Sequence, residues 1–165
     1  MTKESQKTNT MTAEETARQN SFIELAQTLS AQKSNTLGRP LPYCLTTFGC
    51  QMNEKQSEVV AGIMDEIGYH RQDSEDADVV IYNTCTVREN ANLKVYGRLG
   101  HLHSLKDKNP DMQIVLFGCM MQEPHVVEKI RKTYPFVNLV FGTHNIFKFA
   151  ELFYEMQQSL SLIHI

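Results

Sequence analysis

Three cysteines of this chain recur at nearly equal intervals, and this spacing is a chemical signal. Cys50, Cys85 and Cys119 are separated by 35 and then 34 residues, and each lies just past the carboxyl end of a predicted buried strand. A parallel α/β sheet gathers the carboxyl ends of its strands at one edge. We therefore expect the three thiols to meet in space, where three thiolates can hold a metal centre and leave one position open.

The type of metal is not fixed by the three cysteines alone. Structural zinc sites usually have four ligands with close pairs such as C-x2-C, and the sequence has no such pair. His144 follows the fourth predicted strand and keeps a Cys3His zinc site open as an alternative. Thiolates also hold iron–sulfur clusters, usually four of them, so three leave one iron free for another ligand. A catalytic thiol is a third interpretation, although no Cys/His/Asp arrangement is legible.

Cys44 differs from the other three cysteines. It lies in the middle of a predicted strand and has no glycine beside it. Free cysteine is often a small buried hydrophobe. We therefore expect Cys44 to be a core residue and not a ligand.

Four polar side chains near the cysteines are candidates to line the site or face a substrate. Asn53 is predicted to cap a helix, with Gln56 in the capping-box position three residues later. Asn83 can donate to sulfur, and Gln51 can contact substrate. Arg88 can offset the charge of a cluster, but it equally fits an ordinary solvated helix start.

An alternation of strands and helices must position these residues. Apolar runs predict buried strands, and stripes at helical spacing predict the helices between them. This order predicts an α/β fold: a mostly parallel βα-repeat sheet with helices on both faces, preceded by a polar N-terminal extension. The predicted strands span residues 43–48, 78–82, 113–117 and 137–141, and the helices span 53–67, 89–108, 123–132 and 146–157.

The chain divides into three predicted parts. Residues 1–41 form a polar, partly disordered extension with a short helix around 22–29 and a linker from Ser34 to Pro42. We expect that helix to pack loosely, with docking on a partner as the alternative. Residues 42–158 form the folded domain. Residues 159–165 are a tail that is either frayed or not native.

Composition limits the function classes. The 165 residues are 41% hydrophobic with a net charge of −3, which is typical of a globular domain without a broad basic surface for phosphates. The first 20 residues have no apolar signal core, and no apolar run has membrane-spanning length. We therefore expect a cytoplasmic protein with no membrane contact, whose thiols stay reduced.

Four spaced strings carry a resemblance to a known family. They are Thr47-Phe48-Gly49-Cys50-Gln51-Met52-Asn53, Asn83-Thr84-Cys85-Thr86-Val87-Arg88-Glu89, Gly118-Cys119-Met120 and Phe141-Gly142-Thr143. Together they resemble the N-terminal domain of the radical-SAM methylthiotransferases, and are most similar to its MiaB-type, tRNA-modifying branch. The resemblance covers residues 42–154.

The resemblance implies a function and its cofactors. It implies an auxiliary [4Fe-4S] cluster on Cys50, Cys85 and Cys119, whose open iron carries the sulfur or methylthio group. The implied reaction methylthiolates C2 of N6-isopentenyladenosine beside the anticodon (position 37 of tRNA). It uses S-adenosylmethionine, which a second [4Fe-4S] cluster in a central barrel domain cleaves. A C-terminal domain helps to bind the tRNA anticodon stem-loop.

The chain departs from the family pattern in one respect. The Cys-x-x-x-Cys-x-x-Cys motif of the second cluster is absent from these residues. We therefore expect a truncated chain, monomeric and inactive alone, whose last residues are an artificial end. The alternatives are a stand-alone zinc- or other metal-binding domain without catalysis, and a methylthiotransferase that acts on another substrate.

Overall fold

A six-stranded, fully parallel sheet forms the centre of the protein. The computed structural model describes residues 12–49, 51–85, 89–158 and 163–164. The strands are β1 Leu41–Thr47, β2 Tyr69–Arg71, β3 Val79–Thr84, β4 Gln113–Gly118, β5 Leu139–Phe141 and β6 Ile163–His164. The helices are α1 Ala13–Leu37, α2 Gln51–Ile67, α3 Glu89–Lys108, α4 Pro124–Thr133 and α5 Phe149–Gln158. Two 3-10 helices, Cys119–Gln122 and Thr143–Lys148, follow β4 and β5.

The strand order contains a switch point between β1 and β3. The sheet runs β2-β1-β3-β4-β5-β6, so the chain leaves β1 toward one side and β3 toward the other. In doubly wound sheets such a point opens a crevice at the carboxyl ends of the two strands, and ligands bind there. The loops after β1 and β3 carry the first two of the three evenly spaced cysteines.

Two separate hydrophobic cores cover the two faces of the sheet. Side chains of α1, α2 and α5 pack on one face, and side chains of α3 and α4 pack on the other. The central strands β3 and β4 are buried along almost their whole length, which explains their continuous apolar runs. The predicted fold class, a parallel βα sheet with helices on both faces, is confirmed.

The N-terminal helix is longer and more closely packed than the sequence predicted. α1 has 25 residues, and the Thr12 side chain caps its start by accepting from the Glu15 amide at 3.1 Å. It ends at Gly38, which adopts the left-handed conformation (φ 69°). Ala26 is buried against α2 and α5, and Ser30 donates to the carbonyl of Ile67. The expectation of a short, loosely packed helix was wrong because polar side chains anchor this helix.

Two further local predictions were also wrong, and two short strands were not predicted. The predicted linker begins inside α1, since residues 34–37 are helical. The short strands β2 and β6, of three and two residues, carry too little apolar pattern to be predicted. α2 begins at Gln51 and not at a cap on Asn53. The division into an extension, a domain and a tail stays a prediction, and most of the tail lies outside the described residues.

None of the helices in the described ranges combines the length and the apolar content needed to cross a membrane.

Candidate functional site

One register row crosses four neighbouring strands just before the carboxyl edge of the sheet. The row pairs Thr47 with Asn83, Asn83 with Phe117, and Phe117 with Phe141. Two positions after each residue of this row, the chain has passed the end of its strand. We call the four residues at these positions the edge row. The edge row consists of Gly49, Cys85, Cys119 and Thr143.

Neighbouring members of the edge row lie close together. A Cβ atom built on Gly49 would lie 2.8 Å from the Cβ atom of Cys85. At the other end, the Thr143 hydroxyl donates to the Cys119 sulfur at 3.5 Å. The last register pair of β3 and β4 joins Thr84 to Gly118. Cys85 directly follows Thr84, and Cys119 directly follows Gly118. The edge row is therefore continuous, with two thiols at its centre.

The two thiols differ in exposure. Cys85 is buried, with 4% of its surface exposed, whereas Cys119 is half-buried. Both are free thiols. Gly49 packs directly against its neighbours, since a Cβ built on it would lie 2.6 Å from Asn53 Oδ1 and 2.8 Å from Cys85 Cβ. The site is thus a pair of thiols at adjacent strand ends beside the β1–β3 switch point.

A buried amide pair joins α2 to the end of β3, next to Cys85. Asn83 donates through Nδ2 to the Asn53 carbonyl at 2.7 Å and to the Ser57 hydroxyl at 3.0 Å. Asn53 donates through Nδ2 to Asn83 Oδ1 and to the Thr84 carbonyl, both at 3.2 Å. The Thr47 and Ser57 hydroxyls share a further hydrogen bond of 2.7 Å. This network joins the first turns of α2 to the ends of β1 and β3.

The amide pair explains why the helix cap was mispredicted. Asn53 lies inside α2, where its side chain is buried and donates to Asn83 and Thr84 of β3. Asn83 is fully buried, and its amide donates to the Asn53 carbonyl and to Ser57. Gln51 is exposed at the first position of α2. The two asparagines therefore join α2 to the end of β3, while Gln51 lies at the surface.

Two of the predicted site residues cannot be placed. Cys50 and Arg88 lie outside the described residues, so their convergence with the other residues stays a prediction. Within the described ranges, no three His, Cys, Asp or Glu side chains come together as a metal site. Cys85 and Cys119 are brought to adjacent strand ends as predicted, and His144 is exposed on the 3-10 helix after β5.

Cys44 is a core residue, as predicted. Its side chain is 3% exposed and packs in the core between the sheet, α3 and α4. Burial raises the pKa of this thiol. A buried thiol with a raised pKa is a poor nucleophile and a poor ligand, and Cys44 lies within β1, away from its carboxyl end.

Two residues with contacts at this site were given no role in the sequence analysis. Thr143 contacts Cys119, and Ser57 accepts from Asn83. For Thr143 a signal was available, because it follows Phe141 by two positions, as Cys119 follows Phe117 and Cys85 follows Asn83. For Ser57 no signal existed, since its contact depends on the packing of α2 against β3.

The two thiols suit a thiophilic metal centre. Thiolates are ligands for zinc and for iron–sulfur clusters. The start of α2 also lies at this edge, where its backbone N–H groups favour negative charge. The described residues thus supply two thiols at adjacent strand ends and a hydrogen-bonded polar base.

Comparison with known proteins gives a consistent picture. The model of an uncharacterised protein family, UPF0004, matches residues 42–142, more than half of the chain. A tRNA-2-methylthio-N(6)-dimethylallyladenosine synthase of Lachnoclostridium phytofermentans is 62% identical over 130 residues, which cover 79% of this chain and 28% of that protein.

Two further similar proteins bear the same name. The synthase of Acetivibrio thermocellus is 53% identical over 151 residues, covering 91% of this chain and 32% of that protein. The synthase of Clostridioides difficile is 49% identical over 147 residues, covering 88% of this chain and 31% of that protein. The chain thus spans about a third of the length of these relatives.

Proposed function

Because this chain belongs to the UPF0004 family and its relatives are tRNA methylthiotransferases, we propose that it is the cluster-binding part of such an enzyme. The substrate proposed for the whole enzyme is N6-isopentenyladenosine beside the anticodon of tRNA, methylthiolated at C2. The single observation that carries the proposal is the edge row, in which two free thiols lie at neighbouring strand ends beside the β1–β3 switch point.

The residues present fit an iron–sulfur cluster in two respects. The donors are thiols, which is the ligand type that such clusters require. Cys119 is half-buried, so this thiol is partly accessible. We assign Cys85 and Cys119 as ligands and propose Cys50 as the third.

The chain's own residues hold and orient the group. Asn83 and Asn53 fix the strand ends, so that the two thiols need little rearrangement on binding. When bound, a [4Fe-4S] cluster with three thiolate ligands supplies an open iron for the sulfur or methylthio group. Gln51, exposed at the start of α2, faces the solvent side and is assigned to contact with substrate, and Arg88 is assigned to charge compensation.

The remaining chemistry is assigned to sequence beyond this chain. The relatives are about three times as long as this chain, and we place the use of S-adenosylmethionine, the second cluster and most of the tRNA contacts in their additional length. The net charge of −3 fits this division, since a chain without net positive charge gains little affinity from phosphates. The proposed enzyme is cytoplasmic and monomeric, and this chain alone is inactive.

Anaerobic reconstitution with iron and sulfide tests the proposal. We expect a brown protein with broad absorbance near about 400 nm and bound iron and sulfide in equal amounts. Cys85→Ala and Cys119→Ala, and the predicted third ligand change Cys50→Ala, should each lose most of the iron. The matched control is Cys44→Ala, which removes a core thiol and should keep the iron.

Two results would contradict the proposal. One is a colourless protein that retains zinc after the same treatment, which favours the zinc-binding alternative. The other is loss of iron in Cys44→Ala but not in the other variants. Methylthiolation of tRNA by this chain with S-adenosylmethionine alone would contradict the assignment of the radical step to a missing part.

A further inference from the structure

We propose that Thr143 is a positioning residue for the cluster: its hydroxyl donates a hydrogen bond to the Cys119 sulfur and thereby sets the reduction potential of the bound cluster. This inference rests on the proposed function, since it takes Cys119 to be a ligand. It adds a residue to which no role has been assigned, at the boundary of the family match, which ends at Gly142.

The position of Thr143 follows from the sheet register. Phe117 of β4 pairs with Phe141 of β5, so the residues two positions later stand side by side at the carboxyl edge. Thr143 therefore follows β5 at the same level at which Cys85 and Cys119 follow β3 and β4. The edge row thus runs glycine, cysteine, cysteine, threonine, with a hydroxyl where a further thiol would stand.

The surroundings hold Thr143 in this position. The rings of Phe117 and Phe141 stack at 5.2 Å with an interplanar angle of 7°, which fixes the two strand ends against each other. Gly142 packs against the Gln122 side chain, since a Cβ built on Gly142 would lie 2.7 Å from Gln122 Cγ. The two 3-10 helices that carry Cys119 and Thr143 are therefore in contact.

The contact itself has the chemistry of a tuning hydrogen bond. The distance of 3.5 Å from Thr143 Oγ1 to Cys119 Sγ is normal for a hydroxyl donor and a sulfur acceptor. A thiolate bound to iron keeps lone pairs that can accept this hydrogen bond. Hydrogen bonds to the sulfurs are among the factors that set the potential of iron–sulfur clusters, and such outer partners also orient the ligands.

The direction of the effect follows from charge. Reduction adds one negative charge to the cluster, and a donor at the sulfur stabilises that charge. Removal of the hydroxyl should therefore disfavour the reduced state. The reduction potential should move to more negative values, while the number of iron ligands is unchanged.

The test compares Thr143→Val with Thr143→Ser in the reconstituted chain. Valine keeps the shape of threonine and removes the donor, whereas serine keeps the donor. We measure iron content, circular dichroism and the reduction potential, with the potential followed by electron paramagnetic resonance. Thr133→Val, at an exposed position at the end of α4, is the matched control.

We expect Thr143→Val to titrate at a more negative potential, with Thr143→Ser and Thr133→Val close to the unsubstituted chain. A folded Thr143→Val chain that loads less iron than Thr143→Ser also supports the role. Identical potentials and iron contents in the valine and serine variants overturn this inference alone. Absence of a cluster in the unsubstituted chain overturns the proposed function and this inference with it.

Discussion

Thr84 and Gly118 form the last register pair of β3 and β4, and the Thr84 backbone occupies the space where a side chain at position 118 would begin. A Cβ built on Gly118 would lie 2.3 Å from the Thr84 carbonyl oxygen and 2.7 Å from Asn83 Oδ1. Gly118 also has a φ of 118°, a backbone angle that residues other than glycine rarely adopt. The residue before Cys119 is therefore glycine because backbone and network leave no room for anything larger.

Substitution of this glycine should be severe. Gly118→Ala must push apart β3 and β4 at the point where they present Cys85 and Cys119, and we expect a loss of more than about 2 kcal/mol in the free energy of unfolding. Urea denaturation measures it. The control is Gly62→Ala in α2, where a Cβ would meet nothing within 4 Å. That variant should gain about 0.5–1 kcal/mol, and equal losses in the two variants would contradict the steric explanation.

The hydrogen-bond network of Asn53, Asn83 and Ser57 gives a second prediction. Asn83→Ala removes the amide that donates to the Asn53 carbonyl and to the Ser57 hydroxyl. It also removes the oxygen that accepts from the Asn53 side chain. Because these groups are buried, we expect a loss of about 2–3 kcal/mol in the free energy of unfolding, together with weaker iron binding. Ser21→Ala, at an exposed position of α1, should change stability by less than about 0.5 kcal/mol.

A near-zero effect of Asn83→Ala on stability would mean that water replaces the network. A stable variant that binds iron normally would contradict the proposed support of the thiols.

The burial of Cys44 predicts a difference in reactivity between thiols. Its pKa is raised by burial, so the thiolate fraction at neutral pH is reduced. In the metal-free chain, N-ethylmaleimide should modify half-buried Cys119 at least about tenfold faster than Cys44. Peptide mass spectrometry after timed quenching measures both rates, and modification in urea provides the control in which the difference disappears. Equal rates in the folded chain would show that Cys44 is accessible.

The ion pair between α1 and α5 predicts that the N-terminal helix is part of the folded unit. Arg18 donates to Glu151, whose carboxylate is buried, while Gln19 accepts from the Glu151 backbone amide. Arg18→Ala leaves a buried carboxylate without this cation, so we expect a lower urea midpoint and faster amide exchange in α1. Adding Glu151→Gln should recover part of the loss.

The matched control for this prediction is Arg131→Ala, whose carboxylate partner Glu128 is exposed and 4.0 Å away. An exposed pair of this kind contributes little to stability. If Arg18→Ala behaves like Arg131→Ala, α1 is held by its apolar contacts alone.

The sequence determined the repeating strands and helices and the placement of the cysteines along them. The buried strands β3 and β4 have long apolar runs that only a doubly covered sheet explains, and Gly118-Cys119 follows directly. Local patterns of this kind are legible because burial and periodicity are properties of a single segment. The separation of Cys44 from the other cysteines was legible for the same reason.

The tertiary structure decided what depends on two segments at once. The strand order creates the switch point between Gly49 and Cys85, and the β4–β5 register brings Thr143 to Cys119. Asn53 looked like a helix cap, but its amide pairs with Asn83 across 30 residues. Such contacts are set by how elements pack, so no single segment encodes them. The spacing of the cysteines can be read from the sequence. The contacts of Asn53, Asn83 and Thr143 next to them arise only when the strands and helices pack together.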